Sequence, residues 1–194
     1  VMGPGSAVGK DRTGGEGELR ALGEELGFAL EAIDPVIVDG VTVRSTAVRA
    51  ALASGDVDVA ATMLGRHFSL SGIVKEGDHR GAELGFPTAN VVPPKEFALP
   101  ADGVYATRVK VNGDEYPAAT NLGVRPTFDG KTRLMEAYLL GYEGDLYGRR
   151  ITVQFVRKLR EETRFESADK LVEQMKRDVE DTRRILAEAT AASG

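Results

Sequence analysis

The first part of the chain combines a helical pattern with a short hairpin pattern. Apolar residues recur at helical spacing within residues 18–28, and this spacing predicts a helix there. Two β-rich runs then flank Asp39-Gly40 within residues 36–43, an arrangement typical of a tight β-hairpin. The leucines that carry the helical pattern are Leu19, Leu22 and Leu26.

Two short helices are predicted next. A hydroxyl at Ser45 or Thr46 can accept a hydrogen bond from a free backbone amide at the start of a helix that ends before Gly55. Asp56 can do the same for a second helix through Leu64. The region as a whole has few large apolar residues for its length, so we interpret residues 1–65 as a fragment of a larger module.

The pattern changes to β-strands from His67 onward. Asn112-Gly113 is the strongest two-residue hairpin signal in the chain. Several strands without intervening helices imply an antiparallel sheet, most economically a small closed barrel. The fold class predicted is therefore mainly β, preceded by a small α/β fragment. The β-rich runs are residues 68–74, 103–111, 115–122, 134–140 and 151–159.

The chain ends in a long helical pattern that begins after Ser167. Apolar residues form one stripe, which predicts packing against the barrel. Basic residues occupy the other face, which we interpret as exposed to solvent. The stripe comprises Leu171, Val172, Met175, Val179, Ile185 and Leu186, and the basic face Lys170, Lys176, Arg177, Arg183 and Arg184.

Composition removes several kinds of chemistry. The 194 residues include no cysteine and only two histidines, His67 and His79, so a disulfide framework, a thiolate site and a histidine-rich metal site are excluded. Any metal is expected to be a hard cation held by oxygen atoms. Residues 1–6 are typical of a cloning scar and are left out of the fold prediction.

Charge and hydropathy narrow the expected partners. The net charge of −5 argues against a nucleic-acid binder, and no apolar run approaches the roughly 20 residues of a membrane span. The chain opens without a signal-peptide pattern. We therefore expect small-molecule substrates, no nucleic acid, no membrane and a cytoplasmic location; the sequence does not indicate an oligomeric state.

Four glycines are concentrated near the exit of the first barrel strand. Glycine lets a backbone approach a ligand closely and point its amides at phosphate oxygens. The alternative is an ordinary flexible surface loop, which glycine content alone favours. The segment is not a P-loop, because no Gly-Lys-Ser/Thr ends it. The four are Gly72, Gly77, Gly81 and Gly85.

Pro87, Thr88 and Asn90 follow this loop. The Thr88 hydroxyl and the Asn90 carbonyl lie on one face of an extended segment, and both oxygens could reach a Mg²⁺ that already carries nucleotide phosphates. Pro87 would make their approach rigid. The alternative, at least equal on spacing alone, is that both side chains satisfy backbone groups of the loop.

Glu136 stands inside an apolar strand. Both faces of residues 134–140 are apolar, so we expect the strand to be covered on both sides and this carboxylate to be a candidate general base. The alternative, weighed equally, is a glutamate at the strand edge that pairs with an arginine such as Arg108 or Arg133.

Arg160, Glu162 and Phe165 lie in the connector between the last strand and the long helix. Together they could grip a planar, hydrogen-bonding ligand at the mouth of the barrel. The alternative is a charged connector in which Phe165 stabilises the start of the helix, and without further information it is favoured.

Seven motifs occur in a fixed order along the chain. They are Gly72, Gly-Phe-Pro-Thr-Ala-Asn at 85–90, Gly-Val-Tyr at 103–105, Asn-Leu-Gly-Val-Arg-Pro-Thr-Phe at 121–128, Glu136, Asp-Leu-Tyr-Gly at 145–148 and Arg160-x-Glu162-x-x-Phe165. Taken together, they resemble the riboflavin kinase family, and more closely the C-terminal kinase module of bacterial bifunctional riboflavin kinase/FAD synthetases. Pro-Thr-Ala-Asn is the most specific of them.

The resemblance implies a six-stranded antiparallel barrel with a C-terminal helix over residues 66–194. It implies transfer of the γ-phosphoryl group of ATP to the ribityl 5′-hydroxyl of riboflavin, giving FMN and ADP. Thr88 and Asn90 would hold Mg²⁺ and phosphates, the glycine-rich loop would cover the nucleotide, and Glu136 would deprotonate the hydroxyl. Arg160, Glu162 and Phe165 would lie on the flavin side. A barrel that binds flavin or nucleotide without turnover remains the alternative.

Residues 1–65 resemble the end of the family's adenylyltransferase module. Residues 42–49 are similar to its Ser-Ser-Thr-x-x-Arg signature, except that Arg44 replaces the first serine. The His-x-Gly-His motif of that module does not occur in this sequence. We therefore expect that the chain does not make FAD.

Overall fold

The computed structural model describes residues 2–3, 5–77, 80–94, 96–127 and 130–191. His79 and Phe128, both named above, lie outside the described residues. The chain divides into two compact units, residues 1–44 and residues 45–194.

The first unit contains one helix and one small hairpin. A 3₁₀ turn at Lys10–Arg12 precedes α1 (Glu16–Leu26). Strands β1 (Ile37–Val38) and β2 (Val41–Thr42) pair antiparallel, so the hairpin at Asp-Gly is confirmed. Asp39 and Gly40 both adopt positive φ, as a tight turn of this kind requires.

The second unit opens with two short helices that join the barrel core. They are α2 (Ser45–Ser54) and α3 (Val57–Leu64), separated by Gly55 at φ +88°. Asp56 occupies the start of α3, but its carboxylate accepts a hydrogen bond from Ser54 Oγ at 2.7 Å and does not cap the helix amides. Their buried side chains pack in one cluster with the barrel interior: Ala51, Leu52, Val57 and Ala60.

Six antiparallel strands close into a barrel in the order β3-β4-β7-β6-β5-β8, which confirms the predicted fold. Four strands match the predicted runs to within four residues at each end, whereas β6 extends five residues further and β4 was not predicted as a strand. The strands are β3 (Phe68–Lys75), β4 (Ala89–Val91), β5 (Gly103–Val111), β6 (Asp114–Thr127), β7 (Gly130–Leu139) and β8 (Arg150–Arg160).

The barrel interior is filled by alternate side chains of the strands, as a small closed barrel requires. Two buried hydroxyls lie inside it: Thr107 Oγ1 and Thr120 Oγ1 are 2.7 Å apart, and Thr107 Oγ1 also donates to the Ala118 carbonyl. The largest fully buried side chains include Tyr105, Phe155, Leu70, Leu122, Met135 and Ile151.

Two helices complete the unit. A single turn, α4 (Arg80–Glu83), lies in the glycine-rich loop between β3 and β4. The long helix α5 (Ala168–Ala191) packs Ile185 and Leu186 against Ala106 and Val156 on the outer face of the barrel. The Lys170 amide donates to Ser167 Oγ at 3.3 Å, so the predicted start of this helix is confirmed.

The unit that holds the barrel begins at Ser45, twenty-one residues before residue 66, where the kinase domain is predicted to begin. The assignment of residues 1–65 to an adenylyltransferase remnant stays a prediction.

Candidate active site

One row of paired positions across three neighbouring strands carries three polar side chains, those of Asn90, Glu136 and Asn121. Asn90 on β4 is the register partner of Glu136 on β7, and Glu136 is in turn the partner of Asn121 on β6. Side chains directly opposite each other in an antiparallel pair share one face of the sheet and lie within contact range. The barrel therefore brings Asn90 and Glu136, which are 46 positions apart in the sequence, side by side.

The two faces of β7 are not equally covered, which corrects the expectation from the sequence. Met135 and Ala137 point into the barrel and are 0% and 1% exposed. The side chain of Glu136, on the opposite face, is 27% exposed. The carboxylate therefore lies on the outer face of the barrel wall and is partly open to solvent; we call this outer surface around Glu136 the rim.

Glu136 is held by an arginine and an asparagine of β6. Arg125 Nη2 donates to Glu136 Oε2 at 2.6 Å, and Asn121 Nδ2 donates to the same oxygen at 3.2 Å. The predicted arginine pairing therefore exists, but its partner is neither Arg108 nor Arg133. Arg108 bonds to Thr190 on α5, and Arg133 bonds to Asp102 and the Pro100 carbonyl.

Glu162 completes a closed set of hydrogen bonds at the rim. Its Oε1 accepts from Arg125 Nη1 at 2.6 Å and from Asn121 Nδ2 at 3.2 Å. Gly123, on β6 between these two donors, makes room for it, because a Cβ built there would lie 2.7 Å from Glu162 Oε1. We call Asn121, Arg125, Glu136 and Glu162 the rim cluster.

The electrostatics of the rim cluster centre on Arg125. Partial burial by itself lowers the pKa of this guanidinium, but hydrogen bonds and attraction from Glu162 and Glu136 outweigh that effect, and the net pKa is raised. The arginine therefore stays charged and compensates part of the charge of two neighbouring carboxylates.

The glycine-rich loop closes on Asn90 and Thr88. A Cβ at Gly77 would collide with the side-chain amide of Asn90, and one at Gly81 would collide with the Phe86 carbonyl and lie 3.5 Å from Thr88 Oγ1. Asn90 is 8% exposed, and its Nδ2 donates to the Thr88 carbonyl at 3.3 Å. The loop and the Pro-Thr-Ala-Asn segment thus form one packed unit next to Glu136.

The remaining residues predicted around the nucleotide have different surroundings. Gly72 lies in the middle of β3, where a Cβ would collide with the Val91 side chain inside the barrel. Gly85 adopts φ +85° with open space around it, and Pro87 is exposed. Gly72 is thus required by the packing of the barrel; a nucleotide contact for these three residues stays a prediction.

Arg160 is tied to the long helix. Its Nε and Nη2 donate to Asp178 Oδ1 and Oδ2 at 2.9 and 2.8 Å, and Asp178 is 5% exposed. The guanidinium also lies over the Phe165 ring at 5.6 Å from its centroid. The structure thus places Arg160 and Phe165 together, next to the connector that carries Glu162; flavin contacts of all three stay predictions.

The side chains beside Glu136 could supply only some of the ligands of a magnesium ion, and substrate phosphates and water would supply the others. Within the described parts of the chain, no group of three or more His, Cys, Asp and Glu side chains could hold a metal. Thr88 and Asn90 offer neutral oxygens, and Mg²⁺ in phosphate-transfer sites takes few protein ligands together with substrate phosphates and water. The residues present therefore suit an ion that arrives with a nucleotide.

The sequence alone did not predict a role for three residues of the site. Asn121, Gly123 and Arg125 belong to a motif noted above, but no function was given to them. The β6–β7 hairpin pairs Asn121 with Glu136, so that Asn121, Gly123 and Arg125 lie on the face of Glu136. Knowledge of that register would have identified them.

Residues 64–186 match the family profile described as "Flavokinase: Riboflavin kinase". The chain is 45% identical over 92% of its length to a bifunctional riboflavin kinase/FMN adenylyltransferase of Pseudomonas fluorescens, of which the match covers 58%. It is 42% identical over 89% of its length to the protein of the same name from Escherichia coli K12, of which the match covers 57%. The chain thus spans less than two thirds of these curated relatives.

A solved structure described as a macrolide-efflux protein from Streptococcus pneumoniae superposes with a TM-score of 0.82 and 32% identity. The match covers 94% of this chain and 59% of that one. Among the residues that the structure describes, no helix is long and apolar enough to cross a membrane.

Proposed function

The chain belongs to the riboflavin kinase family, and from this membership and the rim geometry we propose that it transfers the γ-phosphoryl group of ATP to the ribityl 5′-hydroxyl of riboflavin, yielding FMN and ADP. The observation that carries the proposal is the pairing of Asn90 with Glu136 on adjacent strands. It puts the loop suited to phosphates beside a carboxylate at the open rim.

Glu136 is the general base in this proposal. The 5′-hydroxyl oxygen forms a bond to the γ-phosphorus, the bond from that phosphorus to the β–γ bridging oxygen breaks, and ADP leaves. The hydroxyl proton passes to the Glu136 carboxylate. Such a reaction depends mainly on positioning and electrostatics, and the base proposed here is a carboxylate, so the reaction needs no thiol or imidazole.

The backbone of the glycine-rich loop, with Gly77 and Gly81 packed on Asn90 and Thr88, binds the phosphates. Thr88 and Asn90 would hold Mg²⁺, which would supply positive charge to neutralise the phosphates. Arg160, Glu162 and Phe165 lie on the flavin side of the rim. The chain makes no FAD, since its sequence contains no His-x-Gly-His motif.

The test is an assay of FMN and FAD formation by the purified chain with ATP, riboflavin and a titration of Mg²⁺. We expect FMN but no FAD, and a loss of about 10³-fold or more in kcat for Glu136→Gln. Thr88→Ala and Asn90→Ala should raise the Mg²⁺ and ATP concentrations needed for half-maximal rate.

Three outcomes contradict parts of the proposal. Wild-type turnover by Glu136→Gln removes the assigned base. Tight flavin binding without ATP consumption by the wild type favours a binding barrel without turnover. FAD formation shows that adenylyl transfer does not need the absent motif.

A further inference from the structure

We propose that Arg125 and Asn121 are positioning residues for Glu136, and that Glu162 acts through Arg125 to fix that position. The inference rests on the proposed function, because it assigns these residues to the orientation of the proposed base. It concerns how the carboxylate is held, which the family membership alone does not specify.

The hydrogen bonds distinguish the two oxygens of Glu136. Among the described residues, the bonds to this carboxylate from Arg125 and Asn121 both go to Oε2. Two donors on one oxygen hold that oxygen in place and restrict the rotation of the carboxylate. Oε1 is then the oxygen left to accept the hydroxyl proton.

The geometry also explains why Glu162 belongs to this set. Arg125 spans Glu136 and Glu162 with one Nη each, both at 2.6 Å, and Asn121 Nδ2 bridges the same two oxygens. An arginine held at both ends has little freedom to rotate away from Glu136. Glu162, in the connector after β8, therefore anchors Arg125 on the side away from the proposed base.

The four residues come from three separate parts of the fold. Asn121 and Arg125 lie on β6, Glu136 lies on β7, and Glu162 follows β8. The absence of a side chain at Gly123 leaves space for the Glu162 carboxylate between the two donors. The arrangement is therefore built into the rim by the register of the β6–β7 hairpin together with this glycine.

A double-mutant cycle tests the proposal, with the wild type, Arg125→Met, Glu136→Gln and the double variant assayed for FMN formation. We expect Arg125→Met to lower kcat by about tenfold to a hundredfold and the KM values by less than about threefold either way, since a misplaced catalytic group costs this much. In the Glu136→Gln background the same substitution should change kcat by less than about twofold.

The outcomes separate the two proposals. Wild-type turnover by Glu136→Gln contradicts the assignment of the base, whatever Arg125 does. An equal loss from Arg125→Met in both backgrounds contradicts the positioning role and leaves the base assignment intact, because a general structural defect acts in either background.

Arg125→Lys decides the question if Glu136→Gln is too slow to compare. A lysine keeps the positive charge but lacks the planar fork that spans two carboxylates. Positioning predicts that kcat stays close to that of Arg125→Met, and recovery to the wild-type value shows that charge alone suffices. Thermal unfolding of each variant checks that the barrel is folded.

Arg184→Met is the matched control. Arg184 on α5 also donates to two carboxylates, Asp181 at 2.9 Å and Glu188 at 3.2 Å. It lies outside the rim, so its removal should leave kcat and both KM values unchanged. A loss of kcat as large as that of Arg125→Met would overturn the proposal.

Discussion

Arg125 and Arg184 each bond to two carboxylates, but Arg125 reaches partners 11 and 37 residues away, whereas the partners of Arg184 are three and four residues away. The helical spacing of α5 brings the second set together whatever the rest of the fold does. The first set exists only once the barrel has closed. The difference separates charges that the fold assembles from charges that a helix aligns by itself.

Side-chain exposure differs between these two kinds of charged pair in the same way. The side chain of Arg184 is 58% exposed, and its net pKa is raised by hydrogen bonds to Asp181 and Glu188. The side chain of Arg125 is 37% exposed, and the side chain of Asp178, which ties α5 to Arg160 of the barrel, is 6% exposed. Exposed local pairs contribute little to stability, whereas breaking a pair that is largely shielded from water leaves an unpaired charge.

The largest effect is expected for Asp178→Ala. Removal of this buried carboxylate leaves the Arg160 guanidinium without its partner, which should lower the free energy of unfolding by about 3 kcal/mol. Urea denaturation measures the change, with Asp181→Ala as the control three residues further along the same helix. Asp181 is 52% exposed, so its loss should not shift the midpoint. Equal shifts for the two variants would show that stability does not depend on whether a pair is brought together by the fold or lies within one helix.

A second comparison uses two glutamates that each accept from two donors. Glu162 accepts from Arg125 and Asn121, and Glu173 on α5 accepts from Lys170 and Arg177. Glu162→Gln should lower kcat by about tenfold, since Arg125 loses one anchor. Glu173→Gln should leave it unchanged. Steady-state kinetics also tests the predicted flavin contact, because a direct contact of Glu162 with riboflavin would raise the KM for riboflavin.

The sequence was most informative where structure is local. Alternation and the Asn-Gly signal predicted the central hairpin, and the apolar stripe predicted α5. Strand β4 was not predicted because its three residues, which follow a proline, are too few to show alternation. The last part of β6 was not predicted because Gly123 and Pro126 are uncommon in strands, although both pair with β7.

The candidate site shows the same limit. Asn90 and Glu136 were found singly, through their residue types and the family resemblance. The sequence-based alternatives for an arginine partner were Arg108 and Arg133, since nothing in the spacing indicates Arg125. That contact depends on the register of β6 against β7 and on the path of the connector, which are consequences of barrel closure and not of any local pattern.

A smaller effect is expected for Gly123→Ala. The added methyl would lie 2.7 to 2.9 Å from the Glu162 carboxylate and displace it, while the flexible glutamate can move aside. We expect kcat to fall by about threefold with little change in stability, since only the far end of one side chain must shift. Gly17→Ala is the control, because nothing lies within 4 Å of a Cβ there. An unchanged kcat for Gly123→Ala would mean that the position of Glu162 does not matter.

The smallest effect is expected from salt. A rise in ionic strength from 0.1 to 1 M shortens the Debye length from about 10 Å to about 3 Å, which screens exposed charges far more than hydrogen-bonded charges in a partly shielded cluster. A cycle of Arg184→Met and Glu188→Gln, read from thermal midpoints, should therefore lose any coupling in 1 M salt. The coupling in kcat between Arg125→Met and Glu162→Gln should change by less than about twofold. The reason is that Arg125 Nη1 and Glu162 Oε1 stay in direct contact, at 2.6 Å, in a partly shielded cluster. If salt abolishes the coupling of Arg125 to Glu162 as well, Glu162 does not anchor Arg125, and the orientation of Glu136 must come from Arg125 and Asn121 without that anchor.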